Sequence, residues 1–212
     1  MNRQKEILET ARQVLSDRSQ TNYRTICESY NRDKEKILAD FYQAIRHLIL
    51  FTQTKQREFG KKAIKYVTVS YLLSSSITRT FEFQLSLLDD KYFCDPIESC
   101  VYWTPKWLFE PVASDWDILL RSVKSKVVRL HPYELDSIWR SYLCEFYNGL
   151  AFLFFAEHLK KAAIGGDLGM LALSDEVLFT YGGYMDYFIQ IDMWKRGREK
   201  DEVFSFGDGS TI

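Results

Sequence analysis

Thr78-Arg79-Thr80-Phe81-Glu82-Phe83-Gln84-Leu85-Ser86-Leu87-Leu88 alternates strictly, with Phe81, Phe83, Leu85 and Leu87 on one side and Thr80, Glu82, Gln84 and Ser86 on the other. A strand with one buried face requires this pattern, because successive side chains point to opposite faces. Val67, Val69 and Tyr71 alternate in the preceding segment, and Ser74-Ser75-Ser76 supplies a turn, so residues 64–88 read as an antiparallel hairpin. The competing reading is one helix, since Ile77, Phe81, Leu85 and Leu88 also fit helical spacing. Enrichment in β-branched and aromatic residues favours strands. A lone hairpin is marginal in water, so more strands or a helical layer must cover its apolar face. Ser99 to Trp103 reads as one further strand and Phe204-Ser205-Phe206 as a possible edge, while Pro96, Pro105 and Pro111 keep the chain between mostly loop.

Outward from the hairpin the pattern is helical. Ile7, Leu8, Ala11, Val14 and Leu15 predict a first amphipathic helix that the polar run Ser16 to Asn22 ends. Tyr30, Ile37, Phe41, Ala44, Leu48 and Phe51 predict a second from about Tyr23 to Gln56, and the two would pack as an antiparallel pair over residues 2–56. The hairpin and an aromatic loop occupy about 62–112, and a helical part about 114–200. There, Ser114 suits a helix cap with Asp115 and Asp117 in the first turn, and Trp116, Leu119, Leu120, Val123 and Val127 form a buried stripe. Pro132 suits the first turn of a helix running to about Ala163 and stopping at Gly165-Gly166. Its segment Leu150 to Ala156 is apolar on every side, which predicts a long, central, buried helix. Ser174-Asp175-Glu176 reads as another helix start, bent or ended by Gly182-Gly183, and Gly207 to Ser210 as a frayed tail. The fold class expected is α+β: a mostly helical single domain with a small antiparallel sheet.

The composition fits one self-sufficient core. The 212 residues include 15 Phe, 13 Tyr and 5 Trp, concentrated in Tyr92 to Trp116, Tyr133 to Phe155 and Phe179 to Trp194. Each ring removes about 150–250 Å² from water. No Pro- or Gly/Ser-rich linker divides the chain. Lys and Arg number 28 against 29 acidic residues, with no block of like charge, which disfavours generic nucleic-acid binding. The densest basic cluster, Lys55 to Lys65, reads as a solvated turn. Met1 to Glu9 lacks an apolar h-region and no run is long enough to span a bilayer, so a cytoplasmic location is expected, with no membrane partner. Cys27, Cys94, Cys100 and Cys144 form no CxxC pair and read as reduced, mostly buried thiols, with Cys94–Cys100 as the one local pairing to test.

No familiar catalytic or cofactor motif is present. Gly165-Gly166-Asp167-Leu168-Gly169 follows a helix, whereas a phosphate loop precedes one. His47, His131 and His158 are scattered; a metal would be sought first at His131 with Glu134, but no metal or cofactor is called for. Asp89-Asp90 and Asp115/Asp117 sit where turns and helix starts want acids. Glu134 and Glu145 lie eleven residues apart on one helix face, with Tyr142 and Asn148 near Glu145, so Glu145 is the candidate acid/base group of a small-substrate enzyme. The same carboxylate could instead hydrogen-bond a core tyrosine.

Tyr102-Trp103-Thr104-Pro105-Lys106-Trp107, followed by Phe109 and Trp116, is the strongest functional feature. Two tryptophans flanking a proline can anchor an interface or line an apolar site. They can equally pin a loop over the sheet. The reading favoured is a non-enzymatic intracellular domain that recognises a partner protein or small apolar ligand through Trp103, Trp107, Phe109, Tyr142 and Glu145, with homodimerisation possible. The alternative is the Glu145 enzyme. Lys5 to Leu15 resembles the first helix of TetR-like regulators, which implies a helix-turn-helix next, but Thr21 to Asp33 is polar and lacks that turn. DNA binding through an atypical N-terminal helix pair is therefore the least favoured reading, and no family follows.

Overall fold

The computed structural model describes residues 3–196, so the readings for Phe204 to Phe206 and for the Gly207 to Ser210 tail lie outside the described residues. The N-terminal region is one helix, α1 (Arg3–Phe59), about 85 Å long, and not the expected antiparallel pair. No glycine or proline interrupts it before Gly60, which takes a left-handed φ of 72° and turns the chain. The polar run continues the helix for a physical reason. Ser19, Thr21 and Thr25 hydroxyls bond back to carbonyls four residues earlier, and Arg18 and Asn22 replace apolar residues on the buried stripe because they meet a buried carboxylate.

The hairpin forms as β1 (Ile64–Tyr71) and β2 (Phe83–Leu88), paired antiparallel from Tyr66–Leu88 to Tyr71–Phe83. Its second strand starts at Phe83, later than the alternation predicts. The connection winds into a short helix, α2 (Leu73–Thr78), and leaves through left-handed Arg79 and Phe81. β3 (Cys100–Trp103) extends the sheet beside β2. Four helical segments follow: α3 (Lys106–Phe109), α4 (Val112–Lys126), α5 (Asp136–Tyr142) and α6 (Asn148–Gly165). α5 and α6 join through a π turn, Leu143–Tyr147. α6 is the central helix, packed against α1 and the sheet, although its outward Leu153 is 60% exposed. Phe155 sits within ring contact of Phe41, Phe83, Trp103 and Tyr181, tying α1, α6 and three strands into one core.

Residues 173–195 are strands, which corrects the expected C-terminal helical part. β4 (Leu173–Gly183) and β5 (Phe188–Lys195) form a hairpin, and β4 lies parallel to β1, giving a mixed sheet in the order β3-β2-β1-β4-β5. Val177, Phe179 and Tyr181 alternate into the core. Asp175 and Glu176, read as a helix start, pair instead with Arg196 and Lys195 across the hairpin. Gly182 is required where the turn returns: a Cβ there would lie 2.2 Å from the Tyr187 carbonyl oxygen.

Lys61, expected in a solvated turn, is buried. Its ammonium pairs with Asp95 and donates to the Ile97 carbonyl at 2.7 Å, holding the 89–99 loop over the sheet face remote from α6. The four cysteines are free, and Cys94 and Cys144 are exposed where buried thiols were expected.

Asp115, read from sequence as a helix-start acid, is fully buried and joins three elements. Oδ1 accepts from Arg18 Nε at 2.7 Å. Oδ2 accepts from Asn22 Nδ2 at 2.6 Å, Tyr142 Oη at 2.8 Å and Tyr147 Oη at 2.6 Å. Tyr142 and Tyr147 are five residues apart, which on an α-helix separates them by about 140°. The wider winding of the π turn swings them onto one side, so that both hydroxyls reach the same oxygen. Burial, and then the neighbouring carboxylate, push both phenols well above the ordinary tyrosine range.

Asp115→Ala removes the acceptor and strands a guanidinium, an amide and two hydroxyls, so chemical denaturation should show a loss of about 3–5 kcal/mol. Tyr147→Phe should lose about 1.5–3 kcal/mol, the value of a bond to a charged group. An unfolded tyrosine ionises near pH 10 while these two stay protonated, so the folded state binds more protons above that pH. Their contribution is therefore complete below pH 10 and declines as pH rises beyond it. In urea melts from pH 9 to 11, the Tyr142→Phe/Tyr147→Phe variant should show a shallower alkaline decline.

Candidate functional site

The aromatic loop divides its residues between core and surface. Trp103, 7% exposed, points inward from β3, donates Nε1 to Asp40 Oδ2 at 2.8 Å and stacks on Phe154 with ring centres 5.5 Å apart. Trp107 packs on Tyr30 at 5.1 Å and on Phe154 at 5.8 Å. Neither tryptophan is among the residues lining the groove described next, because Pro105 and α3 turn them toward α1 and α6. Behind Trp107, the Tyr30 hydroxyl meets His158 Nε2 at 2.8 Å. His158 is buried, and that burial holds its imidazole below the usual histidine range.

Phe109 turns the other way. It stacks on Phe81 with ring centres 4.8 Å apart and on Tyr147 at 5.6 Å, and it lines a groove of about 340 Å³. One wall is the 79–81 strap, the other is α3 and the start of α4, and Trp116 and Trp139 close one end in an edge-to-face pair at 5.3 Å. Trp139 in turn touches Tyr142 at 5.6 Å, so the Asp115 cluster supports the floor from behind. Arg79 and Lys106 are exposed cations of the groove, with Glu110 as an acidic counterpart. Past Phe81 and Phe109 a void of about 30 Å³ continues toward Arg140, Cys144 and Asn148.

The groove wall is strained. Phe81 has φ of 49° and Arg79 φ of 61°, a region that a bulky aromatic residue enters only when its surroundings hold it there. Such strain collects at binding sites and switches. Ser75 is the local anchor, its carbonyl accepting from Thr80 N at 3.1 Å.

Of the residues expected from sequence, Phe109 lines the groove and Tyr142 lies behind it. Glu145 is exposed, which removes the desolvation on which its acid/base role depended. Glu134 is held by Arg3 at 2.6 Å and by the His131 amide at 2.8 Å. The buried carboxylate that meets a core tyrosine is Asp115, and its four donors all come from the protein's own side chains. Among the described residues, no group of three His, Cys, Asp or Glu side chains is placed to hold a metal ion, and no helix is long and apolar enough to cross a membrane. Arg79, Phe81, Lys106 and Trp139 were missed as site residues. The first two lie inside the alternating stretch read as strand, and Trp139 carries no local motif.

His158 adds a pH dependence. An unfolded histidine takes a proton near pH 6.5 while the buried ring stays neutral, so the unfolded state binds more protons below that pH. Stability should therefore be full above pH 6.5 and fall as pH drops through the lowered folded value. Thermal melts between pH 7.5 and 5 should show this slope reduced in His158→Gln.

No protein-family model, no curated protein and no solved structure matches this chain.

Proposed function

We propose that this chain is a non-enzymatic recognition domain that takes an aromatic or aliphatic group bearing a negative charge into the groove between the 79–81 strap and the start of α4. The observation that carries the reading is the groove's combination of Phe81, Phe109, Trp116 and Trp139 with the exposed cations Arg79 and Lys106. At about 340 Å³ it lies in the range of small-ligand sites, which are mostly apolar with a few polar groups that set orientation. The strained strap supports the same reading, because a wall held at unfavourable φ can relax when a ligand packs against it. Four free cysteines fit work in a reducing compartment, so an intracellular setting belongs to this proposal.

The test uses 8-anilinonaphthalene-1-sulfonate, a compact aromatic sulfonate of matching chemistry. It should bind the native protein saturably and quench tryptophan emission. The double variant Arg79→Glu/Lys106→Glu changes only exposed side chains and should weaken binding at least tenfold, with an unchanged far-ultraviolet spectrum. Trp139→Ala should reduce the quenching. Unaltered affinity in both variants would remove the groove from the account.

A further inference from the structure

The groove and the void beyond it share two lining residues, Phe81 and Phe109. Their rings stack almost parallel, 4.8 Å apart at 7°, so this pair is the partition between the two spaces. The two rings are held very differently. Phe109 is buried on α3, in contact with Tyr147 at 5.6 Å and Phe83 at 6.0 Å. Phe81 is half-buried, lies between α2 and β2 in neither, and has a φ of 49°. A bulky residue stays at such a φ only while its surroundings enforce it.

What holds the strap is one oxygen. The Ser75 carbonyl accepts from the Arg79 amide, from Thr80 N at 3.1 Å and from Phe81 N at 3.5 Å, and the Thr78 hydroxyl donates to it at 3.4 Å. A carbonyl oxygen offers two lone pairs, so four donors are not all well bonded, and the Phe81 amide has the longest of these contacts. The β1–β2 ladder ends at Tyr71–Phe83, so no ladder bond backs the strap. Turning Phe81 to an ordinary negative φ therefore gives up one long, shared hydrogen bond and the ring stack, and it releases backbone strain. The ring can leave only outward. The void of about 30 Å³ has room for about two water molecules, far less than a phenyl ring needs. With the ring displaced, groove and void become one cavity, lined past the stack by Leu72, Phe83 and Leu143 and reaching Cys144.

We infer that Phe81 is the gate to a second compartment of the groove, and that the ligand it admits is a linear aliphatic anion whose head stays at the cationic rim while its chain passes Phe109 toward Leu143. This deepens the groove reading and rests on it. A rigid ring system fills the groove but is too wide to follow between Phe109 and the displaced strap, whereas an unbranched chain is narrow enough. Lys106 stands on α3 and not on the strap, so it keeps hold of the head while Phe81 moves. Each methylene that enters the second compartment should add about fourfold to affinity.

The experiment compares n-decanoate with 8-anilinonaphthalene-1-sulfonate on the full chain, by stopped-flow tryptophan emission and by alkylation of the cysteines with iodoacetamide. The sulfonate should bind in one fast phase. Decanoate should add a slower phase whose rate saturates with concentration, the signature of a conformational step. It should also slow alkylation of Cys144, which lines the void, at least fivefold, while the exposed Cys94 on the far side of the sheet reacts as before. Phe81→Gly accepts the positive φ and removes the ring, so the slow phase should vanish and the protection of Cys144 should remain. Sulfonate binding together with unprotected Cys144, or a slow phase that survives in Phe81→Gly, would overturn the gate and leave the groove reading in place. Saturable binding of neither probe would remove both. The Cys144 readout on the unaltered chain decides the matter even if the glycine variant does not fold.

Discussion

One buried carboxylate sets the geometry of the helical half of this protein. Asp115 has no access to water, so its charge is tolerable only while four donors surround it. Two come from α1, through Arg18 and Asn22, and two from the α5–π segment, through Tyr142 and Tyr147. The long helix must continue through a polar stretch to deliver its pair, and the chain after α5 must widen into a π turn to deliver the other. Tyr181 on β4 then donates to the Asn148 carbonyl at 2.8 Å, where the π turn passes into α6, which links this polar cluster to the sheet.

The groove inherits its shape from that cluster. Tyr147 lies against Phe109 and Tyr142 against Trp139, so the phenols that satisfy Asp115 on one side support the groove's aromatic lining on the other. The opposite sheet face is organised by a different buried pair, Lys61 with Asp95, which holds a loop over polar strand residues. Two charged contacts thus organise the molecule, one in the helical half and one on the sheet face remote from α6.

The alternation in residues 78–88 made the hairpin legible, and the Pro132 and Gly165-Gly166 punctuation made the long helical segment legible, because both signals are local. The continuity of α1 was not. Its polar run looks like a helix end unless the partner of Arg18 and Asn22 is known, and that partner lies more than ninety residues away. A shorter separation, about twenty residues, hid the β4–β5 hairpin: Asp175 and Glu176 resemble a helix start until Lys195 and Arg196 are set opposite them. At the site, the sequence pointed to a carboxylate that meets Tyr142 but assigned it to Glu145 on the same helix, when the acid belongs to α4. It identified the aromatic loop, yet could not tell that Trp103 and Trp107 pack toward α1 and α6 while Phe109, also buried, packs toward Phe81 and the groove. Spacing along a chain reports which face a residue takes, and only the assembled fold reports what that face meets.

The parallel pairing of β1 with β4 has a consequence for synthesis. Val67 meets Phe179 and Val69 meets Tyr181 across more than a hundred residues of intervening chain. During translation α1 and the β1–β2 hairpin are complete long before β4 leaves the ribosome, so β1 presents an unpaired, valine-rich edge for most of that time. Open edges of this kind recruit other chains, and a late-closing non-local contact prolongs the exposure. The sheet is sealed only when β4 arrives, and a nascent chain halted before residue 173 keeps the β1 edge open.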